Sequence, residues 1–91
     1  MSEVHSAQLK DLREEIDKLD LTIWSSLERR FALLKEIVKI KADYEIPVLD
    51  EKREQNVLDK IAALKCEPEV SKAIAKLYKL LFELSRKYQG E

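Results

Sequence analysis

An apolar stripe runs along the first half of this chain, and no Pro or Gly interrupts it. Its members recur at spacings of three and four, the period of one helix face. The same spacing places two polar residues, Ser26 and Arg30, on the stripe. The apolar members are Leu9, Leu12, Ile16, Leu19, Ile23, Leu33, Ile37 and Ile40. The pattern predicts one helix from about Ser6 to Ala42, roughly 55 Å long at about 1.5 Å per residue.

A helix of this length is too long for one chain of 91 residues to cover. A compact domain of that size has a radius of gyration of about 12 Å, so its diameter is roughly 30 Å. The overhanging apolar face needs a partner, and a second copy related by a two-fold axis is the simplest supplier. The sequence therefore predicts a homodimer.

A second helix is expected after a short break. The periodic pattern stops between Asp43 and Leu49, where Pro47 favours an extended chain at the residue before it. Asp50 is a good N-cap, because its side chain can accept hydrogen bonds from the backbone of the first helical turn. The helix is expected to reach about Lys65, and its candidate core residues are Val57, Leu58, Ile61 and Leu64.

The third helix is expected to start at about Pro68 or Glu69 and to end at Tyr88. Its apolar stripe comprises Val70, Ile74, Leu77, Tyr78, Leu81 and Phe82. Hydrophobic residues make up 45% of the chain and charged residues 38%, with one Gly, a composition that favours helices. The sequence thus predicts a single all-α domain over residues 1–91.

Charge and cysteine content exclude several classes of function. Seventeen basic and eighteen acidic residues give a net charge of −1, so no global basic field attracts nucleic acid. The single cysteine, Cys66, supplies neither an internal disulfide nor a zinc cluster. No apolar run suits a signal peptide or a bilayer span. We therefore expect a soluble, cytoplasmic protein.

Polar residues continue the apolar stripes at several positions. Arg30 and Lys41 are eleven residues apart, which is about three helical turns, so both project from one face. Ser85 and Gln89 share a face of the third helix, and Glu54 lies in the first turn of the second. An unpaired buried charge costs several kcal/mol, so inward cations need an anionic partner. Together these residues predict a cavity shaped for a small polyanion.

The candidate binding residues, including Arg13 and Asp50, also have simpler interpretations when each is taken alone. Arg13 has acidic neighbours and suits a solvated ion pair, and Lys41 suits the C-terminal end of a helix dipole. Asp50 is explained as a cap, while Ser85 and Gln89 could be surface residues of a last helical turn. Their joint occurrence at one end of several stripes favours the cavity.

Four stretches of the chain carry a resemblance to a known family: L-R-E-E-I-D-K-L-D at 12–20, R-R-F-A-L-L-K-E-I-V-K-I-K at 29–41, P-V-L-D-E-K-R-E at 47–54 and L-F-E-L-S-R-K-Y-Q at 81–89. Through these stretches the sequence resembles the all-helical class of chorismate mutases over nearly its whole length. The resemblance implies an intertwined homodimer of six helices. It also implies a Claisen rearrangement of chorismate to prephenate, a step in phenylalanine and tyrosine biosynthesis that uses no metal or cofactor.

The resemblance further implies a role for each matching residue. Arg30 would bind one substrate carboxylate, and Arg13 of the neighbouring protomer would bind another. Lys41 would contact the ether oxygen and a carboxylate, and Gln89 would donate to the ether oxygen. Because Lys41 would lie among other cations, its removal is expected to leave the melting temperature unchanged or raised.

The remaining matching residues would hold the ring of the substrate. Asp50, through its backbone N–H, and Glu54 would bind the ring hydroxyl, and Ser85 would contact the ring carboxylate. Arg53 would be a supporting cation. Two alternatives remain open at this point: an isochorismate-pyruvate lyase on a similar bundle, and a non-catalytic helical dimer or regulatory module. The acidic element that contains Asp50 and Glu54 favours the mutase over the lyase.

Overall fold

The computed structural model describes residues 3–91, and all the regular elements in that range are helices. They are α1 (Glu3–Asp43), α2 (Glu51–Ala62) and α3 (Pro68–Tyr88). The predicted all-α fold with a very long first helix is therefore confirmed. The first two residues of the predicted domain lie outside the described residues. None of the helices in this range combines the length and the apolar character that a bilayer span requires.

The predicted helix boundaries are close to those observed, except at the end of α2. Helix α2 ends at Ala62, whereas the sequence predicted about Lys65. The chain tightens there, since the Leu64 N–H donates to the Ile61 carbonyl at 3.1 Å, a bond of the 3₁₀ type. Leu64 consequently leaves the helix and is 48% exposed, so its prediction as a core residue was wrong.

Helix α2 begins at the N-cap that the sequence predicted. The Oδ1 atom of Asp50 accepts a hydrogen bond from the Arg53 N–H at 3.0 Å, and the Asp50 carbonyl accepts one from the Glu54 N–H at 3.0 Å. The acidic residues Glu51 and Glu54 lie in this first turn, where the helix dipole stabilises negative charge. The cap therefore fixes the turn that carries Glu54.

The chain divides into two compact units, the first of which ends at Ala32. This unit is a stretch of α1, and none of its described residues is buried within the chain. Seven of its large apolar side chains are 53% to 66% exposed: Val4, Leu12, Ile16, Leu19, Leu21, Ile23 and Trp24. Four of them, Leu12, Ile16, Leu19 and Ile23, belong to the apolar stripe predicted from the sequence.

The second unit, Leu33–Glu91, contains the end of α1 together with α2 and α3. Helices α2 and α3 pack against each other, and the buried apolar residues are Leu34, Ile61 and Phe82. The rings of Tyr78 and Phe82 meet edge to face with centroids 5.8 Å apart. This packing sets the position of α3 relative to the first turn of α2.

Two residues of the predicted α3 stripe lie outside this core. Val70 and Leu77 are 45% and 67% exposed, so their prediction as core residues was wrong for the single chain. The buried residues of α3 are Phe82 and Ser85, and Tyr78 is half-buried. A helix with apolar residues around more than half of its circumference can bury only one side against a single neighbour.

Helix α1 ends in a Schellman motif that has glutamate where glycine is the usual residue. The Ile46 N–H donates to the Lys41 carbonyl at 2.7 Å, and the Glu45 N–H donates to the Ala42 carbonyl at 3.3 Å. Glu45 lies in the left-handed region, with φ of 55°. This conformation is unfavourable for a residue that has a Cβ atom, by about 1–2 kcal/mol.

We therefore expect Glu45→Gly to raise the free energy of unfolding by about 0.5–1 kcal/mol. Relief of the left-handed strain exceeds the additional entropy of glycine in the unfolded chain. Urea unfolding at a fixed protein concentration measures the change. Glu45→Ala is the matched control, because it keeps a Cβ atom and the strain; equal stability of the two variants would contradict the assignment.

Candidate functional site

Lys41 joins three segments of the second unit. Its Nζ atom donates a hydrogen bond to the Val48 carbonyl at 2.8 Å and another to Gln89 Oε1 at 3.4 Å. Val48 belongs to the connection between α1 and α2, and Gln89 is the C-cap of α3. The ammonium group is half-buried and lies between a backbone carbonyl and an amide oxygen. A cation predicted to point inward is thus found at a polar junction.

Ser85 and Gln89 form the α3 side of this junction. Ser85 is 4% exposed, and its hydroxyl donates to the Leu81 carbonyl at 2.6 Å. The Nε2 atom of Gln89 donates to the Ser85 carbonyl at 3.3 Å, while its Oε1 accepts from Lys41. An amide nitrogen carries two hydrogens, so Nε2 has a second donor for a ligand.

Glu54 reaches the same end of α3 through Arg86, a residue that the sequence reasoning did not select. The NH1 atom of Arg86 lies 2.6 Å from Glu54 Oε2. The side chains of Arg86 and Glu54 are 21% and 24% exposed. The Nε atom of Arg86 donates to Glu91 Oε1 at 3.1 Å. The hydrogen bond that Arg86 donates to the Glu54 carboxylate raises the pKa of Arg86 above its ordinary value. The guanidinium therefore stays charged throughout the pH range in which proteins work.

The sequence contained a weak signal for Arg86. It directly follows Ser85 in the matching stretch at 81–89, and it is a basic residue near the C-terminal end of a helix. Such a residue has an ordinary explanation as a partner of the helix dipole. Only the packing of α2 on α3 reveals that Glu54 lies opposite it.

The last turn of α3 is closed by a second Schellman motif. The Glu91 N–H donates to the Arg86 carbonyl at 3.1 Å, and the Gly90 N–H donates to the Lys87 carbonyl at 3.0 Å. Gly90 supplies the left-handed residue, with φ of 99°, and nothing lies where its Cβ would be. Gln89 lies within this turn, directly before Gly90 in the chain.

The other four predicted site residues lie at the start of α2 and on the first unit. Asp50 and Arg53 are exposed, and they are linked through the N-cap hydrogen bond of α2. Arg13 is exposed and Arg30 half-buried on the part of α1 that belongs to the first unit. Their participation in a common site with Lys41 stays a prediction.

The cluster of Lys41, Glu54, Ser85, Arg86 and Gln89 combines two cations with a carboxylate, a hydroxyl and an amide. Such a set suits an anionic ligand that also carries a hydroxyl and a weakly basic oxygen. Comparison with known proteins gives the set a context. Residues 12–90 match the profile of the family described as chorismate mutase type II. The chain belongs to this family.

Two curated relatives agree with the family assignment. The chain is 31% identical over 85 residues to the protein named chorismate mutase of Methanocaldococcus jannaschii, an alignment that covers 92% of this chain and 86% of that protein. It is 38% identical over 60 residues to the bifunctional chorismate mutase/prephenate dehydratase of Aquifex aeolicus, covering 66% of this chain and 17% of that protein. No solved structure gave a significant match.

The contacts of Lys41 change the expected effect of its removal from this chorismate mutase family member. Lys41→Met deletes the donor of the Val48 carbonyl, and a part-buried carbonyl without a donor is costly. We now expect the free energy of unfolding to fall by about 1 kcal/mol, instead of staying constant or rising. Urea unfolding measures it, and Lys39→Met, an exposed lysine of the same helix, is the control. Equal effects of the two substitutions would show that the Lys41–Val48 bond contributes nothing.

Proposed function

We propose that this protein is a cytoplasmic enzyme, a single domain over residues 1–91, that converts chorismate to prephenate in phenylalanine and tyrosine biosynthesis. The observation that carries the proposal is the contact between Lys41 Nζ and Gln89 Oε1, at 3.4 Å, in a half-buried cluster. The contact brings an ammonium donor and an amide donor from different helices to one point. The family match over residues 12–90 supports the same activity.

The proposed reaction is an intramolecular Claisen rearrangement. The ether C–O bond of the enolpyruvyl arm breaks while a new C–C bond forms to the ring, so that no proton or external group is transferred. A protein can assist such a step by holding the arm over the ring, which removes rotational freedom before the reaction begins. It can also stabilise the negative charge that develops on the ether oxygen.

Lys41 and the second N–H of the Gln89 amide are the donors that we assign to the ether oxygen. Lys41 is already oriented by the Val48 carbonyl, and the Gln89 amide by the Ser85 carbonyl. Donors held in place before the reaction stabilise the developing charge without a reorganisation cost. Both residues are catalytic in this proposal.

Glu54 and Ser85 are assigned to the ring. The contact with Arg86 engages Oε2 of Glu54, so Oε1 can accept a hydrogen bond from the ring hydroxyl. The hydroxyl of Ser85 donates to the Leu81 carbonyl, and it rotates about its C–O bond to donate to a ring carboxylate. Asp50, through its backbone N–H, and the supporting cation Arg53 complete the ring side.

The two substrate carboxylates are assigned to Arg30 and to Arg13 of a second copy. A planar guanidinium binds a carboxylate through two parallel hydrogen bonds, which fixes orientation as well as position. The exposed apolar stripe of the first unit supports an intertwined homodimer of six helices, since a second copy would cover it. Each dimer would then contain two sites, both of which draw on both chains.

The direct test is to supply purified protein with chorismate and, separately, with isochorismate, and to measure prephenate and salicylate. Prephenate from chorismate is expected, whereas salicylate from isochorismate would identify a lyase. Inactivity toward both substrates would favour the non-catalytic dimer. The part-buried carboxylate of Glu54, which we assign to the ring hydroxyl, supports the mutase over the lyase.

The donor role of Gln89 predicts a distinctive pH dependence for Gln89→Glu. A carboxylate only accepts, so at neutral pH the variant should lose about 10²–10³-fold in kcat/KM. A glutamic acid has a reference pKa of about 4.3, and below its apparent pKa the protonated group regains a donor. Activity should therefore rise on acidification. The measurement is kcat/KM between acid and neutral pH.

The control for this pH profile is Gln8→Glu, which introduces the same carboxylate at an exposed position of α1. Its profile should follow that of the unsubstituted protein. Superimposable profiles for all three proteins would remove Gln89 from the proposed mechanism, while leaving the overall activity in place.

The shared site predicts complementation between inactive variants. Arg13→Ala and Arg30→Ala should each lose activity, because each lacks one carboxylate clamp. In a heterodimer of the two, one site has both arginines intact, so an equal mixture should regain about a quarter of the unsubstituted activity. Native mass spectrometry verifies subunit exchange. Verified heterodimers without activity would contradict a site shared between chains.

A further inference from the structure

Arg86 is the charged group of the cluster that the proposed mechanism does not use. Its guanidinium lies between two carboxylates of different segments: NH1 is 2.6 Å from Glu54 Oε2, and Nε is 3.1 Å from Glu91 Oε1. Glu54 belongs to the first turn of α2, while Glu91 follows the last turn of α3. One side chain therefore links the start of one helix to the end of another.

The link to Glu54 restricts a side chain that would otherwise be free to rotate. The pair is about three-quarters shielded from solvent, and the Arg86–Glu54 hydrogen bond is charge-assisted, a class that is short and strong. It engages one carboxylate oxygen and leaves the other directed elsewhere. A carboxylate held in this way has a defined lone-pair direction for a hydroxyl group.

The link to Glu91 closes the turn that carries Gln89. Two backbone hydrogen bonds of the Schellman motif already define this turn, and the Arg86–Glu91 ion pair adds a side-chain bond across it. The backbone N–H of Gln89 donates to the Ser85 and Arg86 carbonyls, both at 3.1 Å. Through Glu91 the side chain of Arg86 therefore braces the turn that carries Gln89, while it also holds Glu54.

We propose that Arg86 is a positioning residue that fixes Glu54 and the Gln89 turn relative to each other, without contacting the substrate. The inference rests on the proposed function, since it assigns Arg86 a task in that reaction. Arginine suits the task because its planar fork presents N–H groups in two directions, toward Glu54 from NH1 and toward Glu91 from Nε. A lysine offers one point charge and cannot reproduce this geometry.

The first test compares Arg86→Met and Arg86→Lys with Lys87→Met. Lys87 is the adjacent cation; it is exposed and pairs with Glu83 at 3.4 Å on the same helix, so its removal deletes the same charge outside the cluster. We expect kcat/KM with chorismate to fall roughly 10- to 100-fold in both Arg86 variants, the range that small misplacements of reacting groups produce. Lys87→Met should change it less than about twofold.

The second test asks whether Arg86 acts through Glu54. In a double-mutant cycle, Arg86→Met should reduce kcat/KM much less when Glu54 is already Gln than when it is intact. Full additivity of the two substitutions would show that Arg86 does not position Glu54. A purely structural residue would lower thermal stability in both backgrounds equally and would leave kcat/KM per folded protein unchanged.

A third measurement is independent of activity. Backbone hydrogen exchange at Gly90 and Glu91 reports the opening of the last turn. Arg86→Met should speed exchange at both amides several-fold relative to Lys87→Met, and equal rates would overturn the link to the turn. If the unsubstituted protein leaves chorismate unchanged, the proposed function and the positioning task of Arg86 both fail. An active unsubstituted protein with equally active Arg86 variants would overturn this inference alone.

Discussion

The polar cluster depends on the backbone groups that helix ends leave without intrahelical partners. Helices α1 and α3 both end in Schellman motifs, and their third-last helical positions are Lys41 and Arg86. The side chains of these residues bear positive charge where the helix dipole is negative, while Glu54 bears negative charge at the start of α2. The cluster therefore takes its two cations from the C-terminal ends of α1 and α3 and its carboxylate from the N-terminal end of α2.

The packing of α2 on α3 converts this arrangement into a defined site. Ile61 of α2 and Phe82 of α3 are buried, and the packed helices bring Glu54 of the first turn of α2 to Arg86 of the last turn of α3. Few apolar residues of the described chain are buried, and the first unit leaves its stripe exposed. Burial of apolar surface is the main favourable contribution to folding. The buried apolar residues of the second unit therefore contribute only a small share of the apolar surface that the chain carries.

Sequence periodicity predicted the site residues on each helix, because it gives the angle at which a side chain leaves the helix axis. It placed Lys41, Ser85 and Gln89 on inward faces, and cap chemistry placed Asp50 and Glu54 at the start of α2. Periodicity does not predict which neighbouring helix a given helix face packs against. For that reason Leu77 was assigned to the core, and Arg86 was not assigned to the cluster. The relation of Arg13 and Arg30 to the cluster depends on tertiary and quaternary contacts that no local pattern encodes.

Two segments connect the helices, and the hydrogen bond from Lys41 to the Val48 carbonyl makes the first segment less tolerant of a change in length than the second. The segment 44–50 begins with the turn that ends α1, supplies the carbonyl that orients Lys41, and ends at the N-cap of α2. An insertion there would displace the Val48 carbonyl that orients Lys41, and so would shift the Lys41 ammonium group relative to the Gln89 amide. The segment 63–67 supplies none of the hydrogen bonds of the cluster described above, and surface connections of this kind accept insertions at small thermodynamic cost. A reporter peptide or an affinity tag can accordingly be inserted between α2 and α3, whereas the first connection has to keep its length.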